Sequence, residues 1–240
     1  MIENLSELIE KADKGDVEAM VAVAQYIVWD DQTQPIEEEL LERAKAYFNK
    51  AIEAGNAEAM VSVGAMYYVG RGVQQDYKKA VHWYTKAANH GSITAMSNLG
   101  YCYYYGRDIP VDMEKAYQMF SKAAILGDPI SYYKIGDMYM WGKYVDKDPV
   151  SAFRMYVAAL DLVIEEKPLE CYPDICFRIG SCLHQGNGVE VDLVEAEKFL
   201  AEAKFYFVQR KESGDTLTDG VLKRATDEWV AVVKELEAKS

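Results

Sequence analysis

Apolar residues return every three or four positions through two consecutive stretches of this chain, and then the pair of stretches itself returns. Ala59, Val63 and Tyr67 share one helical face, with Gly64 beside them. Ala80, Trp83, Tyr84 and Ala87 share another. Gly70-Arg71-Gly72 lies between the two, where glycine readily takes the left-handed conformation that ends a helix. The pattern predicts a hairpin of a first helix, A, and a second helix, B. Gly64, Gly100 and Gly136 stand thirty-six residues apart, and Gly180 follows after forty-four. Ala80, Ala116, Ala152 and Ala196 keep the same ladder, as do Asp76, Asp112, Asp148 and Asp192. A period of this size predicts stacked supersecondary units and not one globular core.

Local signals delimit the helices. Asp16, Asn56, Ser92 and Asp128 are predicted N-caps of A helices, and Asp76, Asp112, Asp148 and Asp192 of B helices. Pro129 and Pro149 follow their caps, where a missing N–H costs nothing. Gly15, Gly55, Gly91 and Gly127 close B helices. Gly64, Gly100, Gly136 and Gly180 fall inside A helices, where each costs ~1 kcal/mol relative to alanine. Recurrence of a costly residue predicts close approach of a neighbouring helix.

The expected organisation is one repeat domain over residues 1–240. Its repeats cover about 16–55, 56–91, 92–127, 128–172 and 173–212, with a capping helix at about 217–239. Leu8, Ile9 and Ala12 read as the tail of a B helix. The first repeat is longer in the Asp30–Glu39 region. The fourth carries extra residues, Asp161 to Pro168 among them, expected to lengthen its helix B and to turn at Pro168.

Gly64-x-x-Tyr67-x-x-Gly70-x-Gly72-Val73-x-x-Asp76-x-x-Lys79-Ala80-x-x-Trp83-Tyr84-x-Lys86-Ala87-Ala88-x-x-Gly91 resembles the Sel-one-like repeat, a relative of the tetratricopeptide repeat. The resemblance covers roughly residues 8 to 207. It implies an all-α, right-handed α/α superhelix, a solenoid of about five helix-turn-helix repeats with terminal capping helices. It also implies that the A helices line a concave face and that the protein serves as an interaction adaptor. It names no partner.

Three ranks of A-helix positions serve neither the packing stripe nor the turns. Two before the glycine, whose place Ala24 holds in the first repeat, stand Ala22, Ser62, Asn98, Lys134 and Arg178. One after it stand Gln25, Ala65, Tyr101, Asp137 and Ser181. Five after it stand Trp29, Val69, Tyr105, Trp141 and Gln185. These spacings share a helical face, which the resemblance would turn toward the groove. Trp29, Asn98, Tyr101, Tyr105, Lys134, Asp137, Trp141 and Arg178 are therefore the candidate partner-binding residues. Asn98, Lys134 and Arg178 would take a carboxylate or backbone carbonyls, and the aromatics would anchor a peptide. The alternative is that they are solvated positions, with the aromatics packing between repeats.

Charge and chemistry narrow the picture further. The net charge of −13 argues against nucleic acid and anionic membrane as partners. The start of the chain has no apolar core of a secretory signal, and no stretch is apolar enough to span a membrane, so the cytoplasm is expected. Cys102, Cys171, Cys176 and Cys182 fit no common zinc spacing and are expected to be reduced. His82, His90 and His184 share no neighbourhood, and His184 is expected to pack or to face the groove. Ser131-Tyr132-Tyr133-Lys134 matches a serine–lysine tetrad of penicillin-recognising enzymes, but its companion elements are absent. Neither a metal nor a cofactor is expected. The leading reading is a non-catalytic scaffold that binds a protein or peptide. The alternatives are a hydrolase of cell-wall or β-lactam type and a structural subunit that forms homo-oligomers through the solenoid ends.

Overall fold

A computed structural model describes residues 5–30, 36–107, 109–167, 170–215 and 217–239. Every regular element among them is helical. The chain divides into two compact units, Met1–Met119 and Phe120–Ser240.

The first unit holds α1 (Leu5–Asp13), α2 (Val17–Gln25), α3 (Glu38–Glu53), α4 (Ala57–Val69), α5 (Tyr77–Asn89) and α6 (Ile93–Tyr105), with the start of α7 (Met113–Ile125). The A helices are α2, α4 and α6; the B helices are α3, α5 and α7. Asp16, Asn56 and Ser92 each accept the N–H three residues on, as do Asp76 and Asp112. Gly70 and Gly106 end their A helices at φ 76° and 65°. Each cap satisfies a backbone group that the helix end leaves open.

Two apolar clusters hold this unit. One gathers Ala12, Val23, Val28, Phe48 and Met66; the other gathers Met60, Tyr84, Leu99 and Cys102. Burying a side chain the size of Phe48 contributes ~1.5–3 kcal/mol. Ala12 of α1 is buried in the first cluster, with Leu8 and Ile9 packed against it, and Arg43 of α3 holds Asp13 at 2.9 Å. The expected B-helix tail is therefore present. One feature escaped sequence reasoning: α2 runs on into a π-helical turn, Tyr26–Asp30. The Val28 carbonyl in that turn accepts from Nε of Arg71.

The second unit contains the rest of α7, then α8 (Pro129–Trp141), α9 (Pro149–Asp161), α10 (Tyr172–Gln185), α11 (Leu193–Glu212) and α12 (Asp219–Lys239). Asp128, Asp148 and Asp192 cap α8, α9 and α11. A single cluster fills the unit, with Ile175, Leu200, Phe207 and Val232 at its centre.

The glycines inside the A helices do meet close neighbours. A Cβ on Gly64 would lie 2.7 Å from the Tyr84 ring, on Gly136 2.5 Å from the Tyr156 ring, and on Gly180 2.7 Å from Leu200. Each contact is with the repeat's own B helix.

The insert of the fourth repeat behaves differently from expectation. It does not lengthen helix B: α9 ends at Asp161 with 13 residues, the same as α5 and α7. A longer helix would place Glu165 and Glu166 in its last turn, against the dipole. The chain turns instead and buries Val163. The extra helix belongs to α11, with 20 residues. Insert and extension pack together: Lys167 reaches Glu202 at 3.2 Å and lies 5.8 Å from the Tyr206 ring, while Arg210 holds the Glu170 carbonyl at 3.3 Å. The expected turn at Pro168 lies outside the described residues.

Candidate functional site

The candidate residues fall into each unit separately. In the first, Trp29 sits in the π turn, half-buried beneath Arg71, whose guanidinium carbon is 5.6 Å from the ring centroid. Asn98, Tyr101 and Tyr105 share a face of α6. Asn98 is half-buried, and Tyr101 stacks on Tyr105 with centroids 6.1 Å apart. Tyr105 is 48% exposed.

In the second unit, Lys134, Asp137 and Trp141 lie along α8, and Arg178 on α10. Asp137 accepts from Arg178 at 2.6 and 2.7 Å, a bidentate pair, and from the Tyr156 hydroxyl at 3.0 Å. Lys134 stands 3.7 Å from the same carboxylate and is 8% exposed. Arg178 also donates to the Asp174 carbonyl at 2.8 Å and rests 4.5 Å from the Tyr133 ring centroid. Arg210 holds the Asp174 carboxylate at 2.8 Å. The carboxylates that Lys134 and Arg178 meet are thus the chain's own.

Burial alone would raise the pKa of Asp137, but the Arg178 guanidinium overrides it and holds the carboxyl below its ordinary range. Burial pushes Lys134 down, with Asp137 pulling against it. Burial lifts the Tyr156 phenol, and Asp137 beside it adds to the rise. The Arg178 guanidinium thus favours the ionised Asp137 carboxylate, while burial favours the neutral Tyr156 phenol.

Two pairs connect the ranks, each joining the residue one after the glycine position to the residue two before it in the next repeat. Gln25 donates to Ser62 at 3.0 Å in the first unit, as Asp137 accepts from Arg178 in the second. Two ranks that share a helical face therefore tie adjacent A helices together. In the fifth repeat the same face is taken by α12. Glu228 accepts from Ser181 at 2.7 Å and from Gln185 at 2.7 Å, and it lies 3.2 Å from Nδ1 of His184. Nε2 of His184 lies 3.1 Å from Glu235. Burial tends to lower the His184 pKa, but the two carboxylates outweigh it and the net shift is upward. In the rank five after the glycine position Val69, Tyr105 and Trp141 are 54%, 48% and 68% exposed, while Trp29 is half-buried.

Sequence reasoning missed Asp174, Tyr156, Arg210 and Glu228. One signal was available: Asp137 is the only ionised residue in a rank otherwise filled by glutamine, alanine, tyrosine and serine, and its opposite charge stands at Arg178.

Ser131 is fully buried with its N–H on the Asp128 cap, and the Lys134 ammonium is turned to Asp137. Burial raises all four thiols, Cys102 to about 11 and Cys171, Cys176 and Cys182 to about 12, so thiolate is scarce. Among the described residues no group of three His, Cys, Asp or Glu could hold a metal ion, and no helix is long and apolar enough to cross a membrane. Two clefts indent the first unit. One of about 400 Å³ is lined by Leu8, Lys11, Glu18 and Glu58; one of about 270 Å³ by Phe48, Met66, Tyr67 and Trp83. Neither includes a candidate residue.

The family model of the Sel1 repeat matches residues 17–56, 57–92, 93–128, 129–162 and 173–204. No curated protein matches the chain. Among solved structures, a protective antigen of uropathogenic Escherichia coli with an SLR fold is similar at 24% identity, with a TM-score of 0.68 over 97% of this chain. This chain spans only 56% of that antigen's length. A Sel1 repeat protein from Oxalobacter formigenes is similar at 24% identity and TM-score 0.65, covering 83% of this chain and 77% of its own. A putative Sel1 repeat protein from Klebsiella pneumoniae gives 18% identity and TM-score 0.55, covering 92% and 99%. At these identities the likeness shows the fold.

Proposed function

The chain belongs to the Sel1 repeat family, and from that premise we propose that it is a non-catalytic scaffold whose A-helix faces take a protein or peptide partner. Proteins of this family commonly serve as interaction scaffolds and are generally non-catalytic. The observation that carries the reading is Trp141, 68% exposed at the C-terminal end of α8. A side chain of that area left in water contributes little to folding, and tryptophan is the residue most enriched at interface hot spots. Tyr105 holds the same place on α6, and Trp29 in the π-helical turn after α2. Asn98 and Tyr101 flank that place on α6. Lys134 and Asp137 share α8 with Trp141, and Arg178 of α10 holds Asp137. A cytoplasmic setting belongs to the same proposal.

The test is a pull-down from native lysate with wild type, Trp141→Ala and Tyr105→Ala, each checked for an unchanged melting temperature. The expected result is a protein held by wild type and lost with at least one of the variants. Equal recovery by all three would move the working surface elsewhere.

A further inference from the structure

The first unit carries an exposed cation among aromatic rings. Arg107 follows Gly106, the left-handed cap of α6, and is exposed. Its guanidinium carbon lies 5.6 Å from the Tyr105 ring centroid and 5.8 Å from that of Tyr77. Those rings are braced in turn: Tyr68 meets Tyr77 edge-on at 5.2 Å, and Tyr104 meets Tyr105 at 4.9 Å. Among the described residues no carboxylate pairs with Arg107. By contrast Arg43, Arg178 and Arg210 each hold an aspartate, at 2.9, 2.6 and 2.8 Å. Asp76 and Asp112 are engaged as helix caps, with the N–H of Lys79 and of Lys115.

A guanidinium resting on aromatic rings loses little freedom on binding. Its planar fork matches a carboxylate, and it is less strongly hydrated than an ammonium. Without a carboxylate partner among the described residues, the exposed guanidinium is locally complementary to an acidic side chain, even though the chain as a whole carries a net charge of −13. Tyr105 at 48% and Val69 at 54% exposure supply apolar area on the same unit. We infer that Arg107 and the tyrosines around it form a docking site for an acidic peptide segment, whose Asp or Glu side chain meets the guanidinium and whose neighbouring apolar residue rests on Tyr105. The inference rests on the scaffold reading and names the partner's chemistry for the first unit.

A cation just beyond a helix C-terminus also suits the helix dipole. Lysine serves that purpose equally, so Arg107→Lys separates the two roles. The experiment pans a phage library of random dodecapeptides on the full chain, wild type and Arg107→Lys in parallel. The strongest wild-type peptide is then measured by fluorescence anisotropy at low and high salt. The expected result is enrichment of peptides with Asp or Glu beside an apolar residue on wild type alone. Arg107→Lys should weaken the chosen peptide about tenfold with the melting curve unchanged, and added salt should weaken wild-type binding. Peptides without acidic residues, or an acidic peptide held equally by Arg107→Lys, would overturn this inference and leave the scaffold reading standing. No enrichment over background on wild type would count against peptide binding itself, and so against both.

Discussion

Replacing Gly136 by alanine sets two effects of known size against each other. Helix propensity alone favours alanine by up to ~1 kcal/mol. The structure opposes it, because the new Cβ would lie 2.5 Å from Cε1 and 2.8 Å from Cδ1 of Tyr156, and 3.1 Å from the Ala152 carbonyl oxygen. Tyr156 has little room to yield. It is 2% exposed, and its hydroxyl is tied to Asp137, which Arg178 grips with two bonds. Overpacking a filled site costs ~1–3 kcal/mol, and loosening a hydrogen bond to a charged group adds ~1.5–3 kcal/mol if it is lost. The steric side wins, and Gly136→Ala should destabilise by ~1–3 kcal/mol. At about 2–4 °C per kcal/mol for a chain of this size, the melting temperature falls by several degrees. Gly220→Ala is the control. Gly220 is helical in α12 and a Cβ there meets nothing within 4 Å, so the same substitution should stabilise, by up to ~1 kcal/mol. Thermal and urea melts followed by circular dichroism read both. If the two units melt separately, the Gly136 effect must fall on the transition of residues 120–240. Equal stabilisation by both substitutions would refute close packing as the reason for the glycine.

Three further outcomes follow from the same geometry. Arg178→Met leaves the Asp137 carboxylate buried without its main partner and should cost ~3–5 kcal/mol in urea denaturation; a loss below ~1 kcal/mol would mean that Lys134 and Tyr156 suffice. The folded-state pKa of His184 is raised above its ordinary 6.5 by Glu235 and Glu228. Its contribution to stability is therefore full below that ordinary value and disappears as pH rises through the folded one. The stability difference between wild type and His184→Gln should shrink from mildly acid to alkaline pH, and a difference growing with pH would contradict the assignment. The buried thiols should react slowly with an aromatic disulfide reagent in the native chain and rapidly in urea; fast native reaction of any one would show that its site opens locally.

Much of the fold was legible because its signals are local. A cap at Asn56 or Asp148 acts on an N–H two or three residues away, and a left-handed glycine acts on its own helix end, so sequence spacing carries the information. The ranks of the A helices were legible for the same reason, since a helix repeats its faces every few residues. What they face was not. Asp137 and Arg178 stand 41 residues apart in sequence and meet only once the hairpins stack. The insert was misread because two long-range facts decide it: Val163 finds a buried place, and the lengthened α11 brings Tyr206 and Arg210 to hold the chain beyond α9.

The division of labour among the ranks decides which substitutions test function. Gln25 spends its amide on Ser62 of the next repeat, and Asp137 spends its carboxylate on Arg178. Changing them alters the fold, and any loss of binding would be secondary. Positions five after the glycine hold Val69, Tyr105 and Trp141 in solvent, so trimming them should leave stability nearly untouched. In the fifth repeat the equivalent Gln185 is bonded to Glu228 of α12, together with Ser181 and His184. The capping helix therefore closes the accessible rank of the second unit at Trp141. A partner that needed the α10 face would first have to displace α12, whose Glu228 alone accepts from three side chains. Binding that survives His184→Gln but fails with Trp141→Ala would place the partner on α8 with α12 still docked.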